Sequence, residues 1–350
     1  MKVNRLDSDL DYILQHTLAV WAELKNQRIF ITGGTGFIGS WLLETFAWAN
    51  RQLELNLKVT TLTRNLAAFS KKAPHLTQDP ALLFVEGDVR NFIFPTDTFS
   101  HVIHGATEAS ARLNQDNPQL MLDTILQGTR RVLEFSAHAR AKKFLLLSSG
   151  AVYGRQPPEV SHINEDYPGW PDSFNPQSAY AVGKRTAEHM CVLHAATHAL
   201  QIKIARCFAF VGPYLPLDRH FAIGNFIRDG LEGKAVNVNG DGTPFRSYQY
   251  AADLIIWLLH IMVRGETCVP YNVGSENEIS IVQLAQLIAT SFTPALPVNI
   301  ATLPDATKLS ERYVPDVQRA QKKLGLTSRI NLATAINRTI SWHARETVND

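Results

Sequence analysis

Cysteine is scarce in this chain: its 350 residues include three, Cys191, Cys207 and Cys268, far apart. That spacing supports neither a disulfide framework nor a CxxC metal pair. An excess of one charge is missing as well. Lys and Arg total 34 against 32 Asp and Glu, a formal net charge of +2, so no basic field points to nucleic acid. Long apolar runs are absent. The longest, Leu254 to Val263, is too short for a bilayer, which needs about 20 residues. The N-terminal MKVNRLDSDLDYIL lacks the apolar core of a secretory signal. With 45% hydrophobic and 19% charged residues, a disordered or coiled-coil chain is excluded. A soluble, reduced, cytoplasmic protein is predicted, with no nucleic-acid or membrane partner and, at roughly 150 residues per domain, about two domains.

What is present is periodic. Residues 1–26 carry Leu6, Leu10, Ile13, Leu14, Leu18, Trp21 and Leu24 at three- and four-residue spacing, which predicts an added helix docked on its own domain. From Arg28 short apolar runs alternate with amphipathic stretches. Strands are predicted at 28–32, 58–63, 82–87, 101–106, 143–149 and 202–208, with helices at 37–49, 118–139 and 178–199. This is the pattern of a parallel sheet covered on both faces: an α/β doubly wound Rossmann domain over 27–208. Residues 209–350 read as a smaller α+β substrate lobe, interleaved with the first domain. A proline-rich loop at 154–176, with Pro157, Pro158, Pro168, Pro171 and Pro176, is predicted to contact substrate.

The first strand runs into TGGTGFIGS, which sets Gly33, Gly36 and Gly39 at GxxGxxG spacing between a predicted strand and a predicted helix. In that context the glycines allow a tight turn, close approach to a pyrophosphate and helix–sheet packing, with the anion on the helix N-terminus near Phe37 and Ile38. The second strand ends at Arg64 rather than at an acidic residue. An acid there would bind a ribose 2′-hydroxyl, whereas an Arg can pair with a 2′-phosphate, so NADP is expected over NAD. Asp88 and Val89 are placed to meet the adenine, and Ala106 and Thr107 to line the cofactor ribose.

SAYAVGKRTAEHM predicts a helix with Tyr180 and Lys184 on one face. An ammonium beside the phenol, together with a positive nicotinamide, is expected to lower its pKa and allow proton transfer to or from a sugar oxygen. LSSGAVYG places Ser149 at the carboxyl end of the fifth strand, where open α/β sheets bind ligands. The histidines suggest no metal site: His101 and His104 sit on opposite faces of a strand with no completing ligands.

TGGTGFIG, SSGAVYG, NPQSAYAVGK, RCFAFVGP and GDGTPFRSYQYAADL, in that order, resemble the extended short-chain dehydrogenase/reductase family and its nucleotide-sugar epimerase/dehydratase branch. The resemblance covers about residues 27 to 345. It implies tightly held NAD(P), a nucleotide-sugar substrate and a homodimer formed through a helix bundle. Ser149, Tyr180 and Lys184 take the catalytic positions, and Arg246 takes the position that meets the substrate diphosphate.

Two departures narrow the chemistry. Dehydratases of this branch carry an acidic pair after the Ser/Thr, and the sugar-acid decarboxylases usually keep a Glu at the second position. This chain has Gly150 and Ala151 there. Substitutes for the missing acid would be Glu108 or Glu165. Ala209 stands where the family usually has an Asn reaching the substrate phosphate, which leaves Arg246, Arg228 and Asn225 to do so. An epimerase or 4-keto reductase is therefore expected. A dehydratase or decarboxylase with a substituted acid is the alternative, and a catalytically silent cofactor sensor is a third reading.

Overall fold

The computed structural model describes residues 5–107, 111–218, 221–305, 307 and 309–346. Glu108 lies outside the described residues. The chain forms two compact units, each drawn from separate segments.

The first unit comprises Met1–Val152, Trp170–Cys207 and Ile255–Tyr271. In chain order its early elements are α1 (Asp7–Leu24), β1 (Arg28–Thr32), α2 (Phe37–Leu53), β2 (Lys58–Thr63), α3 (Leu66–Lys72), α4 (Pro74–Thr77) and β3 (Leu82–Glu86). Then follow β4 (His101–His104), α5 (Ala111–Asp116), α6 (Pro118–His138), β5 (Lys143–Ser149), α7 (Ala179–Thr197) and β6 (Gln201–Cys207). β1 to β6 pair in parallel. The sheet order is Pro270–Val273, β6, β5, β4, β1, β2, β3. Strand order reverses between β1 and β4, and such a switch point opens a crevice at the carboxyl ends of the strands.

Burial on both faces explains the unbroken apolar runs: Ile29, Phe30 and Ile31 of β1 and all of β4 are buried. On one face Phe30, Phe92, Phe99 and Phe135 form an aromatic cluster, with Phe30 and Phe135 centroids 4.4 Å apart. α6 and α7 close over it through Ile125, Val132 and Ala187.

The N-terminal helix falls within this unit and packs on it. Trp21 meets Phe46 of α2 edge-on at 6.1 Å, and Trp48 Nε1 donates to Asp11 at 2.9 Å. At its far end Glu23 accepts from Lys143 at the start of β5, at 2.5 Å. The stripe is shifted from the expected one. Leu18 is exposed and Leu14 half-buried, while Thr17 and Val20 take the buried face.

The second unit comprises Tyr153–Gly169, Phe208–Leu254 and Asn272–Asp350. The interleaving expected across residue 208 takes the form of two exchanged segments, 153–169 and 255–271. Short strands Val236–Val238 and Val298–Ile300 pair in parallel, and Phe245–Ser247 is flanked by Glu278–Ser280 and Arg312–Tyr313. Ser280 and Gln283 close a capping box on helix Ile281–Ala289. The proline-rich segment is pinned from within this unit. Gln156 Nε2 donates to the carbonyls of Val160 and Ser161, and its Oε1 accepts from Val314 N–H at 3.0 Å. None of the described helices is long and apolar enough to cross a membrane.

His101 and His104 are both buried in β4. Burial pushes His101 down to about 4, with Glu23 opposing, and pushes His104 down to about 3, helped by the charge of Lys184. Both pKa values fall below those of the unfolded chain, so the unfolded state takes up protons first. Stability is full above about pH 6.5 and falls as the pH drops toward 3, by on the order of 3 kcal/mol for His104 alone at pH 4. Denaturant titrations from pH 7 to 4 are expected to show this loss, and His104→Gln to flatten it. No group of three metal-ligating side chains occurs among the described residues.

Candidate active site

The glycine loop follows β1 directly. Gly33 has φ +78°, and a Cβ there would lie 2.6 Å from the Gly105 carbonyl carbon at the end of β4. Gly39 is tighter still: a Cβ would sit 2.3 Å from Gly33 O and 2.4 Å from two Gly34 backbone atoms. At Gly36 the only neighbour is Gly33 O at 3.4 Å, so the loop is open to an approaching group at that point. Gly36 is also the N-cap of α2, and no side chain caps this helix or places an acid in its first turn. The first N–H groups, near half-buried Phe37 and Ile38, therefore face outward as an anion cradle. These features fit a dinucleotide pyrophosphate.

The remaining cofactor candidates fall around the same strand ends. Arg64 is exposed past β2, where Asn65 caps α3 by accepting from Ala68 N–H at 2.8 Å. Asp88 is engaged by its neighbour: Arg90 Nε and Nη2 grip its two carboxylate oxygens at 2.8 and 2.9 Å, and these bonds hold the acid below its usual range despite partial burial. The Val89 side chain packs into the core against Gly128 of α6. Ala106 N–H donates to Thr32 Oγ1 at 3.2 Å, and Thr107 N–H to Gly105 O at 2.9 Å, which fixes the turn after β4.

Ser149 ends β5, opposite Cys207 of β6 in register. Its Oγ accepts from Ala151 N–H at 3.1 Å, and its hydroxyl lies near enough to the Tyr180 phenol to favour the phenolate. Lys184 is buried. Its Nζ lies 5.9 Å from the Tyr180 ring centre and donates to Leu147 O at 2.9 Å. Gly105 packs against Leu147, so the turn after β4 adjoins the strand that carries Ser149. The structure therefore brings Ser149, Tyr180 and Lys184 together at the carboxyl end of the sheet.

In the protein without cofactor, desolvation dominates the electrostatics of the phenol. Burial pushes Tyr180 up, the hydrogen bond from Ser149 opposes this, and Cys207 adds to the rise. Lys184, driven down to about 8 by burial, is still mostly a cation at pH 7. Without cofactor, Tyr180 is thus a neutral donor at pH 7.

Of the proposed substitute acids, Glu165 is occupied inside the second unit. Its carboxylate accepts from Asn272 N–H at 2.8 Å and lies 3.8 Å from Arg319. Asn225 and Arg228 line a pocket of about 510 Å³ in the second unit, together with Asn237, Asn239 and Asp241. Arg228 is partly neutralised there by Asp229 at 3.0 Å. Arg246 does not line this pocket, and its Nη1 donates to the Phe245 carbonyl at 2.8 Å.

Two supporting features escaped the sequence reading. Asn114 of α5 accepts from Tyr180 N–H at 3.0 Å and donates to Gln177 O at 2.6 Å, bracketing the start of α7. No periodicity marks so short a helix. Glu188, buried under Lys184, stands at the same four-residue spacing that singled out Tyr180 and Lys184, so that rule carried one turn further would have found it.

Residues 29–274 match the NAD dependent epimerase/dehydratase family. The chain belongs to this family. Among curated proteins it is 30% identical to UDP-glucuronic acid decarboxylase 1 of Danio rerio over 93% of this chain and 74% of the relative. It is also 30% identical to UDP-glucuronic acid decarboxylase 6 of Arabidopsis thaliana, over 88% and 86%. Among solved structures, UDP-glucose 4-epimerase of Thermotoga maritima with UDP-glucose aligns at TM-score 0.78 and 23% identity, covering 92% of this chain and 99% of that one. The dTDP-glucose 4,6-dehydratase DesIV of Streptomyces venezuelae, solved with NAD, aligns at 0.76 and 23%, covering 92% and 98%. At that identity the two structures establish the shared fold. The family's NAD-dependence agrees with the glycine cradle, and the decarboxylase relatives stand against the inference drawn from Ala151.

Proposed function

We propose that this protein is an NAD(P)-dependent nucleotide-sugar epimerase or 4-keto reductase. The observation that carries this reading is the Ser149–Tyr180–Lys184 cluster at the switch-point crevice, with no proton-moving side chain at positions 150 and 151. When bound, the nicotinamide accepts or returns a hydride at a sugar carbon. Gly33, Gly36 and Gly39 would hold its pyrophosphate on the start of α2. Tyr180 moves the proton of the sugar oxygen, Ser149 hydrogen-bonds the same centre, and Lys184 sets the local positive charge. Arg64, exposed past β2, supports use of NADP alongside NAD. The 510 Å³ pocket of the second unit is of ligand size and, with Asn225 and Arg228 in its wall, suits a nucleotide. We also expect a homodimer, in line with Val192 and Leu193 standing exposed on α7.

A second reading, decarboxylation of a nucleotide-linked uronic acid, is favoured by the 30% identity over 93% of the chain. Its chemistry does not require an acid at position 151. Oxidation at C4 makes the C6 carboxylate part of a β-keto acid, whose C5–C6 bond breaks with the electron pair delocalised into the ketone and carbon dioxide released.

Purified protein incubated with UDP-glucuronate or UDP-hexoses and NAD+ or NADP+, and with 4-keto-6-deoxy nucleotide sugars and NADH or NADPH, separates these outcomes. Stoichiometric coenzyme oxidation with a keto-sugar identifies a reductase, and an isomerised sugar without net coenzyme change identifies an epimerase. Carbon dioxide from UDP-glucuronate selects the second reading. Turnover on none of them, with coenzyme bound, rejects both.

A further inference from the structure

We propose that Glu188 is a positioning residue for the Tyr180–Lys184 pair, acting through a buried ion pair with Arg206 that ties α7 to the two strands beneath it. This rests on the reading of Tyr180 and Lys184 as the reacting groups. Glu188 follows Lys184 by four residues and Tyr180 by eight, so the three project from one side of α7. Its carboxylate receives Arg206 Nε at 3.0 Å and Nη2 at 2.7 Å, and the Ser148 hydroxyl at 2.5 Å. Both charged side chains are less than one-tenth exposed, at 7% for Arg206 and 8% for Glu188. In the β5–β6 register Ser148 faces Arg206 and Ser149 faces Cys207. The network therefore occupies the rung directly below the one that carries Ser149, and it joins β5, β6 and α7 there.

Two buried charges are a poor device for stability alone, since apolar residues of similar volume often serve as well. What this pair supplies is a fixed seat for α7. It also places a negative charge one helical turn from Lys184. The groups facing that ammonium are Leu147 O from β5, Cys207 from β6, neutral His104 from β4, and Tyr180, Glu188 and Cys191 from α7 itself. Burial drives Lys184 down, and the Glu188 carboxylate works to keep it a cation. Cys207, held as a thiol by burial, carries no charge to take over that role.

Glu188→Gln tests this. It keeps the shape and an oxygen for Arg206 but removes the charge. Cyanate reacts with neutral amines, so carbamylation of Lys184 in the unliganded protein, followed by peptide mass spectrometry across pH, reads its ionisation without any substrate. At pH 6 the variant is expected to react about fivefold faster than the parent, the scale of removing a nearby opposite charge. In turnover, the alkaline limb of kcat is expected to move to lower pH. A folded variant with the parent's carbamylation profile and the parent's pH profile would overturn the proposal. Should Glu188→Gln fail to fold because Arg206 is left uncompensated, E188Q/R206Q removes both charges, whose effects on Lys184 offset each other, and is read by kcat at fixed pH, where the parent's value would overturn the positioning role. Because carbamylation needs no substrate, a failed redox assignment and a failed role for Glu188 give different results.

Discussion

Tyr180→Phe is expected to slow the reaction at least about 100-fold while leaving the thermal midpoint and coenzyme affinity near those of the parent. The loss is chemical rather than structural. The phenol hydroxyl is the polar group of Tyr180 beside Ser149, and Phe fills the same space without it. Burial raises the phenol's pKa in the protein without cofactor, where Tyr180 is protonated and suited to donating to a carbonyl oxygen. The defect is therefore expected in both directions of hydride transfer, read by single-turnover absorbance of the reduced nicotinamide. Full activity in this variant would remove Tyr180 from the mechanism.

Gly39→Ala is the second large effect, and its partner Gly36→Ala makes it interpretable. A methyl at position 39 would press on Gly33 O and two Gly34 atoms at 2.3 to 2.4 Å, all backbone, so the loop or α2 has to move. Overpacking of this kind costs roughly 1–3 kcal/mol, and the displaced loop is expected to lose coenzyme affinity by about tenfold or more. A methyl at position 36 meets nothing closer than 3.4 Å. That variant is expected to keep its unliganded melting temperature and to lose coenzyme affinity, because the methyl stands where the pyrophosphate would approach. Calorimetric melting with and without NAD(H) separates the two. If Gly36→Ala melted early and Gly39→Ala did not, the assigned roles of the two glycines would be reversed.

Much of the first unit was legible because its signals are local. Runs such as RIFIT and KFLLLSS are buried on both faces and bounded by turn residues, and all six predicted strands were found within two residues of their expected ends. Pro270–Val273 was missed for the opposite reason: four residues beginning with Pro and including Asn present no apolar run. Helix α5 is too short to show a period. The interleaving of the two units was expected, but not which segments cross over, because burial of Ile255–Tyr271 with the sheet unit depends on contacts distant in sequence. At the site, Tyr180, Lys184 and Ser149 followed from spacing and motif order. The direction of the phenol's shift did not, since YxxxK fixes a helical face but says nothing of desolvation. The packing of the Val89 side chain against Gly128 was not legible either, since it depends on a helix distant in sequence.

The threefold segmentation of the sheet unit also bears on how such proteins diversify. A gene cut after Cys207 would discard Ile255–Tyr271, whose Leu258, Leu259, Ile261 and Met262 are almost wholly enclosed, and would leave a groove open along the remaining fragment. A single recombination crossover is thus unable to graft a new specificity lobe onto this coenzyme platform. Exchange demands several coordinated breakpoints, and point substitution in the existing lobe is the easier evolutionary route to a new sugar.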